Sequence, residues 1–426
     1  MSYRVLLATF GSLGDLHPFM AIGRALRERG IEARLAAAPD YREMIEAAGL
    51  EFAPMRPSLG QFGDREALSR RLFQQLRGAE IMMRELVIPF VREAHEDVSR
   101  AAVGTDLFVS HTLTFALHML AEHQRKPWLS VALAPIAFMS RNDPPILPGF
   151  DLLRIGRRFG PRGYDWALAL MHSVIRRWER PLHEFRAQIG LPATRHVHMA
   201  EGQFSPQGTL AMFDGVLTTP QPDWPPNVMF CGAPVYDGAA PDPLRLIELQ
   251  QFLARGAPPL VFALGSSAIY IAKDFWQQAL AASRRLGRRA ILITGKPVAL
   301  PSGDDYRAFD YLPYSAVFPH AAAVVHQVGI GTLSQAMRSG RPQLLVPVSF
   351  DQPDNAHRAA KLGIARVLPF QRVNAARLES ELRALLADAN AAAAARKLAT
   401  TLHGTDGAGN AAEFIAAKLE AGARRG

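Results

Sequence analysis

The sequence predicts an α/β architecture of two Rossmann-like domains, each a doubly wound parallel sheet. Two series of alternating strand-like and helix-like segments, separated by a proline-rich break, carry that reading. A chain of 426 residues, 49% hydrophobic and 20% charged, is also long enough to bury two cores rather than one.

In the first series, residues 4–9 form a β-rich apolar run. Residues 18–29 place Phe19, Ile22, Ala25 and Leu26 at helical spacing, with Pro18 as the expected first residue of that helix. Further strands are expected at 33–37, 107–110, 128–131 and 210–213, and helices at 41–48, 67–100 and 115–123. Seven prolines between 218 and 243 interrupt any regular element and mark an interdomain linker. The second series reads as strands at 260–264, 290–294, 322–326, 343–346 and 366–368, with helices at 275–286, 333–339 and 355–362. The expected division is therefore a first domain at 1–217, a linker at 218–243, a second domain at 244–404, and a closing helix at 405–426 that can fold back on the first domain.

Composition excludes several classes. The lone Cys231 has no disulfide partner and cannot build a cysteine metal site, which fits a reducing, cytoplasmic setting. No apolar run approaches the roughly 20 residues of a membrane span, and the N-terminus lacks a secretory apolar core. The formal charge is +9, and Arg154, Arg157, Arg158, Arg162, Arg176, Arg177 and Arg180 fall in one stretch interleaved with apolar residues such as Trp166, Leu170 and Ile175. An ordinary helix with a solvated cationic face accounts for this. Attraction to a charged substrate, or to anionic lipid at the inner membrane face, is the alternative. Nucleic acid is disfavoured, because no recognisable binding motif accompanies the charge.

Ligands of open parallel sheets bind beyond the carboxyl ends of the strands. One such loop, His326-Gln-Val-Gly329-Ile-Gly331-Thr332, leaves a buried strand and enters a helix through two glycines. It can bring backbone N–H groups and the helix dipole to a diphosphate, with His326 as a further donor. A tight turn with a satisfied histidine fits the same letters equally well. Gly265-Ser266-Ser267 offers small hydroxyl residues, and Asp351-Gln352 pairs a carboxylate with a carboxamide suited to sugar hydroxyls. Near the start, Gly11-Ser12-Leu-Gly14-Asp15-Leu-His17-Pro18 places Asp15 and His17 at the mouth of the first domain. Either is a candidate base if burial or a partner raises its proton affinity, and each also reads as a plain helix-entry or surface residue. The chain lacks Asp-x-Asp, His-Glu-x-x-His, Gly-x-Ser-x-Gly and a Walker A lysine loop.

The spacing from His326 through Gly329, Gly331, Thr332, Gly340, Pro342 and Pro347 to Asp351-Gln352 resembles the donor signature of family-one glycosyltransferases. The opening Gly-Ser-x-Gly-Asp-x-x-Pro resembles the sterol, antibiotic and rhamnolipid branches of that family. The resemblance implies a GT-B fold, with the two domains facing a central cleft. By the same resemblance, His326, Gly329, Gly331 and Thr332 hold the donor diphosphate with Ser266 and Ser267, Asp351 and Gln352 hold the sugar, and Tyr311 stacks on the nucleobase. Asp15 matches the base position with Ser12 beside it, whereas His17 has no counterpart. Val328 stands where glycine is common. Ser110-His111 falls near where many members carry an aspartate that orients a catalytic histidine, a relay that Asp15 makes unnecessary.

The function this implies is inverting transfer of a hexose, glucose or rhamnose, from a UDP- or dTDP-sugar to a hydroxyl of an apolar small molecule or lipid. No metal and no cofactor beyond that co-substrate is expected. The rivals are a sugar-nucleotide epimerase, for which no second acid–base group is evident, and a non-catalytic nucleotide-sugar-binding protein. Nothing in the sequence fixes the oligomeric state.

Overall fold

The computed structural model describes residues 3–74, 77–147, 151–238 and 241–424, the side chains of Asp151, Arg154 and Ser267 apart. It divides into two units, Met1–Tyr236 together with Asp406–Gly426, and Asp237–Thr405.

The first unit is built on a seven-stranded sheet of order β3-β2-β1-β4-β5-β6-β7. Its strands are β1 (Arg4–Ala8), β2 (Glu32–Ala37), β3 (Glu51–Pro54), β4 (Leu107–His111), β5 (Trp128–Ala132), β6 (Thr209–Ala211) and β7 (Val228–Phe230), and every pairing is parallel. Central strands are apolar on both faces, as a sheet covered by helices on each side requires. Val5 and Leu7 join one core with Phe19, Met20 and Ile22, while Leu6 and Ala8 join the opposite core with Phe108 and Leu117. Each of these side chains, Ala8 apart, contributes roughly 1.5–3 kcal/mol when it is removed from water.

The helix after β1 spans Leu13–Glu28 and so begins five residues before Pro18. Ser12 caps it: its side chain accepts from the Gly14 N–H at 3.2 Å, and the Asp15 carboxylate reaches back to the Ser12 N–H at 2.7 Å. Ser-x-x-Asp is a helix-start signal in its own right, and it outweighs the one backbone bond that an internal proline removes.

Two further expectations are corrected. The single helix at 67–100 is broken into Arg65–Leu72, Gly78–Ile81, a wider-wound turn Met82–Val87, Ile88–Phe90 and Val91–Ala101. Gly78 and Pro89 lie at the joints, where one lowers helix propensity and the other cannot donate. The linker expected at 218–243 mostly belongs to the first unit, because β7 falls inside it and pairs with β6. Prolines forbid a helix there but tolerate a short edge strand. Trp224 fixes the segment by stacking on Phe138, ring centroids 4.0 Å apart.

The closing helix Gly407–Ala423 returns to the first unit, where Ala411, Ala412, Ile415 and Leu419 enter the core that holds Phe19 and Ile22. Asp406 caps it at the Gly409 N–H, 2.9 Å, and Asn410 donates to the Cys231 carbonyl at 2.8 Å.

The second unit has a six-stranded parallel sheet of order β10-β9-β8-β11-β12-β13. Its strands are β8 (Leu260–Ala263), β9 (Ala290–Ile293), β10 (Tyr306–Phe309), β11 (Ala323–His326), β12 (Gln343–Leu345) and β13 (Ala365–Val367). In each sheet the strand order reverses once, between β1 and β4 and between β8 and β11. A crevice opens at such a reversal because the flanking connections leave on opposite faces.

Candidate active-site loops

The reversal in the first unit brings together the loop after β1 and the end of β4. Asp15 Oδ2 accepts from the Ser12 N–H at 2.7 Å and from its hydroxyl at 3.1 Å, while the Asp15 carbonyl accepts from Thr9 Oγ1 at 3.0 Å. Gly11 is required here: its φ is +138°, and a Cβ would lie 2.2 Å from Asp15 Oδ2. Tyr41 steadies that glycine by donating to its carbonyl at 2.9 Å.

The other carboxylate oxygen, Oδ1, lies 3.6 Å from Nε2 of His111. That is beyond hydrogen-bond distance but well within electrostatic reach. His111 is buried, and loss of water pushes its imidazole below the ordinary 6.5, with the Asp15 charge opposing the shift. Its Nδ1 has no hydrogen-bond partner among the described residues. Sequence reasoning left this pair out, although β1 and β4 are neighbours in a doubly wound sheet and the signal was there. His17 lies elsewhere. Two positions apart on a helix point roughly 200° apart, and the His17 ring sits 4.9 Å from the Tyr236 ring.

The reversal in the second unit gathers loops after β8, β11 and β12. His326, expected as a phosphate donor, is fully buried, with Nε2 2.9 Å from Gln343 Oε1 and Nδ1 accepting the Val328 N–H at 3.2 Å. Burial pushes its pKa down to about 4, so the ring is neutral near pH 7, with its one proton on Nε2 toward Gln343. Both nitrogens are taken in this conformation, and His326 acts as a buttress under the loop.

Val328 takes φ +70°, the left-handed conformation that a glycine would adopt without strain. The side chain of Asn355 holds it there, donating to the Val328 carbonyl at 3.1 Å and to Asp351 Oδ2 at 2.7 Å. The helix Ile330–Arg338 follows with Gly329 as its N-cap and no side-chain cap, so the amides of its first turn are left for another acceptor. Gly331 is exposed with open space around it, whereas Thr332 is buried and its hydroxyl is bonded to Tyr314.

Gly265 begins a short helical turn, Gly265–Ala268, where an open loop was expected. Its φ is +65°, and a Cβ would fall 2.0 Å from Nε2 of Gln327, so the loops after β8 and β11 touch. Ser266 is half-buried in this turn, and the side chain of Ser267 lies outside the described residues. Of the expected sugar-binding pair, Asp351 is half-buried. Gln352 is buried and turns its carbonyl oxygen to the Val348 N–H at 2.9 Å. Tyr311 is exposed, and its hydroxyl donates to the Asp237 carbonyl.

Among the described residues, one group has metal-ligand chemistry: Glu179, His183 and His198, with ligand atoms within 4.8 Å of one another. It shares no residue with either loop set. Glu179 is already satisfied by the His198 and Met199 N–H groups, each at 2.9 Å.

The two sites differ in kind. The first offers a fixed carboxylate able to take a proton. The second offers helix-terminal amides and glycine-lined space for an anion.

Known proteins resemble both halves. Residues 5–103 match the glycosyltransferase family 28 N-terminal domain, and residues 296–409 match the erythromycin biosynthesis protein CIII-like C-terminal domain. The chain is 32% identical to an O-mycaminosyltylonolide 6-deoxyallosyltransferase of Streptomyces fradiae, over 97% of this chain and 96% of that protein. It is 30% identical to the vancomycin aglycone glucosyltransferase of Amycolatopsis orientalis, over 85% and 84%. Among solved structures, the glycosyltransferase VinC in complex with DTDP superposes with a TM-score of 0.69 at 21% identity, covering 99% of this chain and all of that one.

Proposed function

The chain belongs to the glycosyltransferase family of these antibiotic-modifying relatives, and from that premise we propose that it transfers a hexose, glucose or rhamnose, from a UDP- or dTDP-sugar to a hydroxyl of an apolar acceptor. The observation that carries the reading is the Asp15 carboxylate, held by Ser12 and faced by neutral His111 at the sheet reversal. In a single displacement, Asp15 accepts the acceptor's proton as that oxygen attacks the anomeric carbon. The nucleoside diphosphate leaves from the opposite side, which inverts the configuration. Charge growing on the diphosphate is met by the first-turn amides at Ile330–Arg338, with Gly331 leaving room for close approach. His111 and His326 stay uncharged and act by position. Asp351 and Gln352 are assigned to the donor sugar, Ser266 and Ser267 to its diphosphate, and Tyr311 to the base. The structural neighbour bound to DTDP favours a thymidine donor over a uridine one.

Backbone amides can carry the diphosphate charge, so turnover is expected to survive a chelator. Loss of activity in chelator that magnesium restores would remove this part of the proposal. The decisive experiment incubates the protein with dTDP- and UDP-hexoses and a panel of lipophilic alcohols and reads the products by mass spectrometry. A product heavier by one hexose residue supports transfer. An isomerised donor would mean epimerase, and donor binding without product would mean a sensor.

A further inference from the structure

The helix Gly160–Trp178 buries one side, Tyr164, Ala167, Met171 and Ile175, in a core with Leu153 and Val197. Its outward side should then be polar. Instead Trp166, Leu170 and Val174 are exposed, at 62%, 44% and 39%, and their four-residue spacing sets them along one line of the helix. Arginine stands at both ends of that line: Arg162 lies one turn before Trp166, and Arg177 just past Val174, both exposed. The preceding helix, Asp151–Arg157, adds exposed Ile155 and Arg157, and the turn that follows it adds exposed Arg158 and Phe159. Of the twelve large hydrophobic side chains exposed among the described residues, five therefore fall within 155–174. Scattered surface apolar residues need no explanation, but a contiguous stripe does.

Charge decides what covers it. Of the nearby carboxylates, Asp165 is paired with Arg141 at 2.9 Å, and Glu184 with Arg180 at 2.8 Å. A shallow depression where this helix meets Arg180–Gln188 is lined by Arg176, Arg177 and Arg180 together with His183, Glu184 and Ala187, so three guanidinium groups face one carboxylate. A second copy placed face to face would set arginine against arginine. An apolar stripe framed by arginines fits an anionic lipid surface: the indole and aliphatic groups enter the acyl boundary, while the guanidinium groups reach the phosphates.

We propose that this face docks the protein on anionic membranes, lying on the surface without crossing it. No helix among the described residues is long and apolar enough to span. The proposal stands on the exposed face and holds whatever sugar or acceptor the protein uses.

Cosedimentation of the full chain with phosphatidylglycerol-containing vesicles tests it, with pure phosphatidylcholine vesicles as control. Binding at least ten-fold stronger to the anionic vesicles, weakening as salt is raised, is expected. Trp166 is the single exposed tryptophan of the five, so brominated lipid should quench emission in the wild type and much less in Trp166→Phe. Trp166→Glu with Leu170→Glu should lower vesicle binding at least ten-fold with an unchanged circular dichroism spectrum. No binding to anionic vesicles at low salt would overturn the proposal, as would binding that the double variant leaves intact. Dimerisation without lipid that the double variant abolishes would assign the face to a second copy instead.

Discussion

The two sheet reversals solve the same topological problem with different materials. At β8/β11 the site is made of main chain: glycines, an uncapped helix start and a buried histidine that props the loop from beneath. At β1/β4 it is made of two side chains, Asp15 and His111, that are 96 positions apart in sequence and 3.6 Å apart in space. Main-chain amides suit a ligand whose charge is the same in every donor. A side-chain pair suits proton transfer, because only a titratable group can hold and release a proton.

The largest expected effect tests that division directly. Asp15→Asn should keep donor affinity and shape yet lower turnover by roughly 10²-fold or more, whereas His17→Gln should cost far less. Steady-state kinetics beside calorimetric donor binding reads both. A dead His17→Gln with a working Asp15→Asn would reverse the assignment.

Acid should weaken the second unit through His326. Its ring has the ordinary value of 6.5 when unfolded and about 4 when folded, so between those values the unfolded chain binds a proton that the folded chain refuses. Stability is complete above pH 6.5 and falls as pH drops through that window, by about 3 kcal/mol in all. His111 and His118 in the first unit carry the same sign, because burial lowers both. Urea unfolding at pH 7 and 4.5, on wild type and His326→Gln, should show the loss diminished in the variant. An equal loss in both would acquit His326.

Glycines sharpen the contrast. Gly265→Ala forces a Cβ against Gln327 at a φ of +65° and should weaken donor binding about ten-fold, with about 1–2 kcal/mol of strain. Gly11→Ala displaces the Asp15 carboxylate and should lower turnover while leaving donor affinity unchanged. If both variants fail in the same measurement, the two loops are not functionally distinct.

The smallest effect concerns Val328. Glycine is usually less stable than alanine, but at φ +70° the order should invert. Val328→Gly is expected to be more stable than Val328→Ala by about 1 kcal/mol in thermal or urea melts. Alanine the more stable of the two would mean that the loop relaxes out of the left-handed conformation.

These contrasts explain which elements were legible. Most strands were found within a residue or two, because a strand covered on both faces is a continuous apolar run. The three missed, β3, β7 and β10, are all edge strands, where half-solvated residues such as Glu51 and Arg307 break that run. The helix start at Leu13 was written in Ser12 and Asp15, but Pro18 offered a competing start. The glycine loops could be read because they depend on backbone freedom, which is local to the letters.

The sequence by itself determined the two-domain α/β architecture, the family, and the loops that leave its strands, since periodicity and glycine spacing act over a few residues. Tertiary structure alone decided that His111 faces Asp15, that Gln343 and Val328 occupy both nitrogens of His326, and that Val328 adopts the conformation of a glycine. Each of these depends on which strands become neighbours and how deeply they are buried, and burial sets both hydrogen-bond partners and protonation through loss of water.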